Sequence, residues 1–584
     1  MPTFFSLRIG RIGLAAAGAG LGLGILAFMA GSMGGPVYAR AQATGESGPS
    51  GAVLGSSEGR GRILLVLPFD NRTGQPSLEW IREAAPVILS SRFASAGFAP
   101  MSREDRRYAL DHLGLPQGFH PSRASSLKLA ETLDADSIVV GSYVTDGTGI
   151  VAQAQVVDVP HLRMSAAVSA RGEMRDLIAV FDSLAWKLTR QLDPGFSGSE
   201  ETFVAAGAGL RLDAFEQYIR GITEPDQQER LRHLKLAVQM SPEFGPAWMA
   251  LGREDYNGQQ YEEAAAAFAK VGSGDSGALA PDALEAGFYR GLSLLFSGDY
   301  RKAEEAFEGV ERVLPLAEVV NNEGVAVSRQ GRDGTAFFAQ AEASDPNAAD
   351  YHFNLAVSLK RQNKAAEALA ELTQCLRLRP NDSEAQELLA AWKGPSGASA
   401  SAGSAVDSSD AANGAPELKA DPLERIERSF DAVAFRQAAL MLDQMDASRL
   451  AALTPEKRAQ KLAAQAKDYL DRGLLLEAER LYQSAVAADG RVAEAHAGLA
   501  EVRERTGDAE GARKEARAAL ELAPSADAYL VLARLDLKAN RLDDAEKEVG
   551  EALTLNPASR AALELKRQIE AREGPKKQSG VPPL

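Results

Sequence analysis

Apolar positions along this chain keep two short rhythms and one long one. Arg62-Ile63-Leu64-Leu65-Val66-Leu67-Pro68-Phe69 is a brief apolar run ending at a proline, which predicts a buried strand. Asp70 to Gly74 forms a turn cluster. From Leu78 the apolar residues Ile81, Ala85, Ile88, Leu89 and Phe93 take helical spacing, with Ser77 as the expected N-cap and Pro86 as an expected bend. A second helix is predicted over Ser122 to Leu133, leading into a strand at 137–144. Gly147 and Gly149 then mark a turn, Val151 to Val159 alternates as a half-buried strand does, and Arg163 to Ala170 reads as a further strand. Leu177, Phe181, Leu184 and Leu188 share one face of a predicted helix over Asp176 to Leu192. These elements predict a compact α+β domain over residues 61–195.

The long rhythm follows. Ala466, Ala500 and Ala533 are spaced by 34 and 33 residues, and each opens one pattern: small residues where two helices meet, then leucines, then Pro524 or Pro557. Such a period predicts a solenoid of helical pairs. Ala247-Trp248-Met249-Ala250-Leu251-Gly252, with Tyr261, Ala264 and Phe268, resembles the tetratricopeptide repeat. Ala356, Ala368, Leu372, Cys375, Leu376 and Pro380 resemble it again. The anchors Gly221, Gly252, Gly291, Gly324 and Ala356 lie 31, 39, 33 and 32 residues apart. The fold class expected is therefore an α+β N-terminal domain followed by an all-α, tetratricopeptide-type helical solenoid in two arrays, at 212–393 and 421–570. The second array is expected to open with a helical segment near Leu423 and to continue through Thr454-Pro455, an N-cap and N1 pair.

Between the arrays, residues 394–420 are rich in Gly, Ala and Ser and nearly devoid of bulky apolar side chains, the composition of a disordered linker. Residues 42–60 read as a flexible tether and 571–584 as a disordered tail. Residues 1–41 have the make-up of an export segment. Arg8 and Arg11 precede an uncharged stretch from Ile12 to Ala39, and Ala39-Arg40-Ala41 offers a cleavage site. A cleaved signal peptide and a retained membrane anchor both fit, and both place the body outside the cytoplasm.

Val66-Leu67-Pro68-Phe69-Asp70-Asn71-Arg72-Thr73-Gly74, Leu78-Glu79-Trp80 and Ala135-Asp136-Ser137-Ile138-Val139-Val140-Gly141-Ser142-Tyr143 resemble the TolB amino-terminal-like domain. That resemblance implies a bacterial envelope protein in which this domain precedes tetratricopeptide repeats. In a two-membrane bacterium the export segment would set the body in the periplasm, with or without a tie to the inner membrane.

Charge and chemistry narrow the functions. A net charge of −16 lacks the basic footprint of a nucleic-acid binder. The single cysteine, Cys375, rules out an internal disulfide and any multi-cysteine metal site, and its repeat position matches Ala519 and Ala552, a packed core site. The six histidines are scattered without metal-ligand spacing. Gly274-Asp275-Ser276-Gly277 matches a serine-protease string by chance, in an inter-helix loop. Asp70 and Asn71 follow a strand but are ordinary turn formers. No catalytic residue, cofactor or metal is expected.

What remains is a surface. In tetratricopeptide repeats the first helix of each pair lines a concave, peptide-holding face. That resemblance assigns Phe353, Val357 and Lys360 to the groove of the first array, and Glu494, Glu501, Asp527 and Arg534 to the second. The Lys/Asn clamp some relatives use for a terminal carboxylate is not matched, because Asn354 lacks lysines at corresponding positions nearby. The expected function is a non-enzymatic, exported scaffold binding partner proteins or peptides. The alternative is a ligand sensor, in which 61–195 binds a small molecule and the repeats relay the change.

Overall fold

The structure, a computed structural model, describes residues 63–116, 122–147, 149–271, 281–393, 422–430 and 445–573. The export segment, the tether, the 394–420 stretch, the Gly274–Gly277 string and the chain beyond Glu573 lie outside them. The described chain is mostly helical, with one small mixed sheet. Among the described residues no helix is long and apolar enough to cross a membrane.

The chain divides into two compact units. The described residues within 333–426 belong to one; those within 61–332 and 427–584 belong to the other.

The larger unit begins with the sheet. Strand β1 (Ile63–Val66) lies parallel to both β3 (Ala99–Pro100) and β4 (Ser137–Asp146), and β4 pairs antiparallel with β5 (Gly149–Asp158) along its whole length. Strand alternation splits β1 between two cores. Leu64 and Val66 join Phe69, Phe93 and Phe181 beneath the helices Ile81–Ser95 and Leu177–Leu192. Leu65 joins Leu110, Leu129 and Ile138 under the helices Arg103–His112 and Arg123–Thr132. Gly141 is required because a Cβ there would stand 2.3 Å from the Phe69 ring.

Three local expectations change. Ser77 lies within a short 3₁₀ turn, Pro76–Leu78, and the α-helix starts at Ile81 with Trp80 at its N-cap and no side-chain cap bond. Asp70 and Asn71 are a short strand, β2 (Asp70–Asn71), pairing with Ser142 and Tyr143, so the turn begins at Arg72. There Asn71 Oδ1 accepts from the Thr73 amide at 3.0 Å. The predicted strand at 163–170 is two pieces, β6 (Arg163–Met164) and β7 (Val168–Glu173), both on β5. Helix Arg103–His112 has no counterpart in the sequence reading. Its buried residues are few (Arg106, Ala109 and Leu110), although Ser102 and Asp105 form a capping box at its start.

The repeats pack as antiparallel pairs: Leu212–Thr223 on Gln227–Met240, Gly245–Asn257 on Tyr261–Phe268, and Pro281–Ser297 on Tyr300–Glu311. At each crossing a glycine meets a large side chain. A Cβ at Gly252 would lie 2.8 Å from the Phe268 ring, and one at Gly291 would lie 2.6 Å from Phe307. Helix Ala317–Arg329 packs on Tyr300–Glu311. From Pro455 the pairs resume and run to Glu573, with Thr454 capping the first helix as expected. Turns between paired helices use left-handed residues: Gly298, Gly473 and Gly507 have φ of 85°, 77° and 96°, and Asn540 has 58°.

The second array packs against the sheet region of the same unit. Its Leu476 is buried in the same core as Phe203 and Phe215, and Glu479 accepts from the Ser199 amide at 3.2 Å. The helical opening expected near Leu423 is absent: residues 422–430 have no regular secondary structure.

The smaller unit holds the helices Thr335–Ser344, Ala349–Arg361, Ala365–Leu378 and Ser383–Lys393, with residues 422–426 laid against them. Phe353, Val357, Leu372 and Cys375 are its buried centre.

Candidate functional site

The helix Ala349–Arg361 presents Asp350, Phe353, Asn354 and Arg361 at intervals of three, four and seven or eight, one face of a helical turn pattern. That face holds an irregular stretch of the chain's own backbone. Asn354, fully buried, donates from Nδ2 to the Arg425 carbonyl at 2.8 Å and accepts the Arg425 amide proton on Oδ1 at 2.6 Å. An extended residue turns its N–H and C=O to the same side, so one carboxamide satisfies both. This contact reads backbone, not sequence.

Sequence is read by the side chains. The Arg425 guanidinium lies 3.6 Å from the centre of the Phe353 ring. Its two terminal nitrogens meet Asp382 at 2.6 and 2.8 Å, Asp350 at 2.8 Å and Glu384 at 3.0 Å. Arg379 grips Asp350 from the other side through two bonds of 2.8 Å. Burial works against the Arg425 charge, but the hydrogen bonds it donates to Asp382, Asp350 and Glu384 outweigh it and hold the guanidinium well above its ordinary value. The Arg425 hydrogen bond holds the Asp382 carboxyl below its usual range. Burial pushes Asp350 the other way, yet Arg379 and Arg425 keep it low as well. One residue earlier, the buried Glu424 carboxylate pairs with Arg361, which also donates to the Pro422 carbonyl at 2.9 Å. Leu423, by contrast, is 57% exposed.

The larger unit repeats the backbone device. Asn322 Nδ2 donates to the Glu427 carbonyl at 2.7 Å, and Asn322 Oδ1 accepts the Glu427 amide at 2.9 Å. Arg428 stacks 5.0 Å from the Phe296 ring centre, and Phe430 packs on Phe288. Asn322 and Asn354 precede the small repeat anchors Gly324 and Ala356 by the same two positions. In the second array that position is filled by Ala464, Gly498 and Val531, which carry no amide.

The groove residues assigned from the sequence stand in different local surroundings. Phe353 is the floor under Arg425. Val357 is buried in the core behind it, and Lys360 turns to the Trp392 ring, 5.4 Å from its centre. In the second array Glu494 and Asp527 are exposed, Glu501 pairs with Arg505 at 2.6 Å, and Arg534 is held by Glu504 at 2.9 Å. Asp350, Asp382 and Arg361 have no place in the sequence reading, and Asn354 has one only as an unmatched clamp. The available signal was an Asn recurring one repeat apart in a register that elsewhere takes Ile219, Ala250, Tyr289, Ala464, Gly498 and Val531. Cys375 is buried, and burial pushes its thiol up to about 11, consistent with a packed and unreactive side chain. Among the described residues no group of acids, histidines and cysteine is placed to hold a metal ion.

Comparison with known proteins agrees with the repeats. Residues 335–383 and 463–527 match the tetratricopeptide repeat family model. Solved structures similar to this chain include MamA (residues 41 to the end) from Desulfovibrio magneticus RS-1, 23% identical, covering 30% of this chain and 100% of that one with a TM-score of 0.27. They also include YrrB, described as a tetratricopeptide-repeat protein with an unusual peptide-binding site, at 14% identity, 35% and 98% coverage and a TM-score of 0.26. The LpoB C-terminal domain from Salmonella enterica is similar at 19% identity, 20% and 84% coverage and a TM-score of 0.17. None of the curated proteins matches the chain. The chain thus carries tetratricopeptide repeats, a protein-binding module.

Proposed function

We propose that this protein is a non-catalytic, exported scaffold of the bacterial cell envelope. In this reading a TolB amino-terminal-like domain lies near the membrane, and the repeats take extended segments of partner proteins. The observation that carries the reading is the pair of hydrogen bonds from Asn354 to the backbone of Arg425. A buried side-chain amide bonded to both main-chain groups of one residue is the way a groove holds a peptide whatever its sequence. The location is supported by the charge pattern of residues 1–41 and by the sequence resemblance over 66–143.

The test is photo-crosslinking in living cells. A photoreactive residue replaces Lys360, on the helix that carries Asn354, in the full-length chain, and cell fractions are analysed for adducts. Specific protein adducts in the extracytoplasmic fraction are expected. Recovery of the protein in the cytoplasm refutes the location, and absence of any adduct refutes the scaffold.

A further inference from the structure

Within the smaller unit the bound segment is held in an unusual way for a structural strap. It contributes little apolar surface: Leu423 points outward and Ile426 is only half-buried. Its anchors are the Asn354 backbone clasp, the Arg361–Glu424 pair and the nest around Arg425. The charges of that nest are also unbalanced without its occupant. Asp350, Asp382 and Glu384 converge on the guanidinium, and among the described residues Arg379 is the one other cation bonded to this group of carboxylates. The site as built demands a cation, and its shape selects which kind. The two nitrogens on Asp382 and the stacking on Phe353 suit a flat, forked guanidinium, and a lysine ammonium cannot make both contacts.

We infer that Asp350, Asp382, Glu384 and Phe353 form an arginine-recognition pocket whose partner ligand is an extended protein segment carrying a Glu-Arg pair, and that Pro422–Ile426 occupies the pocket in cis until such a segment displaces it. This rests on the peptide-binding reading above and gives it a ligand chemistry. Glu424 supplies the acid that Arg361 reads, Arg425 fills the pocket, and Asn354 sets the register between them. Because the occupant belongs to the same chain, it competes at an effective concentration near the millimolar range, so an incoming peptide of about 10 μM intrinsic affinity is weakened about 100-fold.

The probe is a fluorescent peptide with the sequence of residues 420–428, titrated by anisotropy into the full-length chain. Weak binding to the wild type and about 100-fold tighter binding to Arg425→Ala is expected, since emptying the pocket removes the competitor. Glu424→Ala, which loosens the segment while leaving the pocket intact, tightens binding in the same direction and guards against a folding defect in the first variant. Replacing the peptide's arginine by lysine, or adding Asp382→Asn to the Arg425→Ala chain, abolishes the gain. Equal affinity for wild type and both variants overturns the cis competition, and no binding to any of them overturns the pocket as a ligand site. A wild-type chain that sediments as a dimer which Arg425→Ala dissolves overturns the cis arrangement in favour of a second copy. Crosslinked partners that bind without regard to arginine remove this inference and leave the scaffold reading standing.

Discussion

The carboxamide of Asn354 closes on both main-chain groups of Arg425, at 2.8 and 2.6 Å, from a fully buried position on the helix Ala349–Arg361. Removing it exposes an asymmetry of hydrogen bonding. The folded state loses two bonds worth about 1 kcal/mol each, and buried groups left without partners cost a further ~1–3 kcal/mol. Asn354→Ala is therefore expected to release residues 422–426 while the helices around them stay folded. Hydrogen–deuterium exchange at the Arg425 amide reports it, with protection falling at least ~10-fold, the equivalent of 1.4 kcal/mol. Asn354→Asp keeps an acceptor for the amide and loses the donor to the carbonyl, so its effect falls between. Unchanged protection in Asn354→Ala refutes the clasp.

The same segment is expected to let go in acid. Asp382 and Asp350 both sit below the ordinary value of 3.8 in the folded chain. A carboxylate depressed by folding stabilises the state that depresses it. That contribution is complete above the unfolded value and is lost as pH falls through the lowered folded values, hence below about pH 4. Exchange protection of 422–426, corrected for intrinsic rates, should hold from neutral pH down to that range and then collapse. Asp382→Asn should show the weakened protection already at neutral pH and a flatter profile. Collapse near pH 6 instead would point to a histidine and away from these carboxylates.

The repeats were legible because their signal is periodic and mechanical. Gly252 and Gly291 face Phe268 and Phe307 so closely that an added Cβ would force the rings to shift, and such positions recur at fixed spacing. Cys375 was legible for the same reason, as a small residue in a register that takes Ala519 and Ala552. The bound segment was not. Glu424-Arg425-Ile426-Glu427-Arg428 has the composition of an exposed helix, and local propensity carries no information about an Asn more than 70 positions upstream. Asp382 illustrates the same gap. It accepts from the Ala385 amide at 3.1 Å at the start of the next helix, a local role, while its second role depends on an arginine delivered from elsewhere in the chain. Non-local, polar recognition leaves no period.

Gly498 gives a test of the packing rule with opposing terms. Gly to Ala in a helix interior normally stabilises by about 1 kcal/mol. At Gly498, however, a Cβ would stand 2.1 Å from Cζ of Tyr482, itself 2% exposed. Overpacking of ~1–3 kcal/mol then outweighs the propensity gain. Gly498→Ala is expected to lower the melting temperature, whereas Gly550→Ala, on an exposed helix position with nothing within 4 Å, should raise it. Equal signs for the two substitutions would refute the account of small residues as crossing points.

Glu479 decides how the second array behaves as a body. Its side chain is fully buried in the helix Leu475–Ala488, and it accepts from the Ser199 amide at 3.2 Å and from Gln483 Nε2 at 3.1 Å, with Arg503 3.7 Å away. Gln483 in turn donates to the Ser197 carbonyl at 2.9 Å. Burial raises the Glu479 carboxyl above its ordinary range against the pull of Thr202, Ser199 and Arg503, so the fold tolerates its neutral form. Glu479→Gln keeps an acceptor for Ser199 and should change little. Glu479→Ala leaves that amide and Arg503 without it, a loss of about 1–3 kcal/mol concentrated at one contact. The expected result is faster protease cleavage across residues 193–199 in Glu479→Ala alone, followed by separation of the second array from the sheet region. An equally resistant loop in both variants would mean that the shared core around Leu476, Phe203 and Phe215 holds the array without the polar contact.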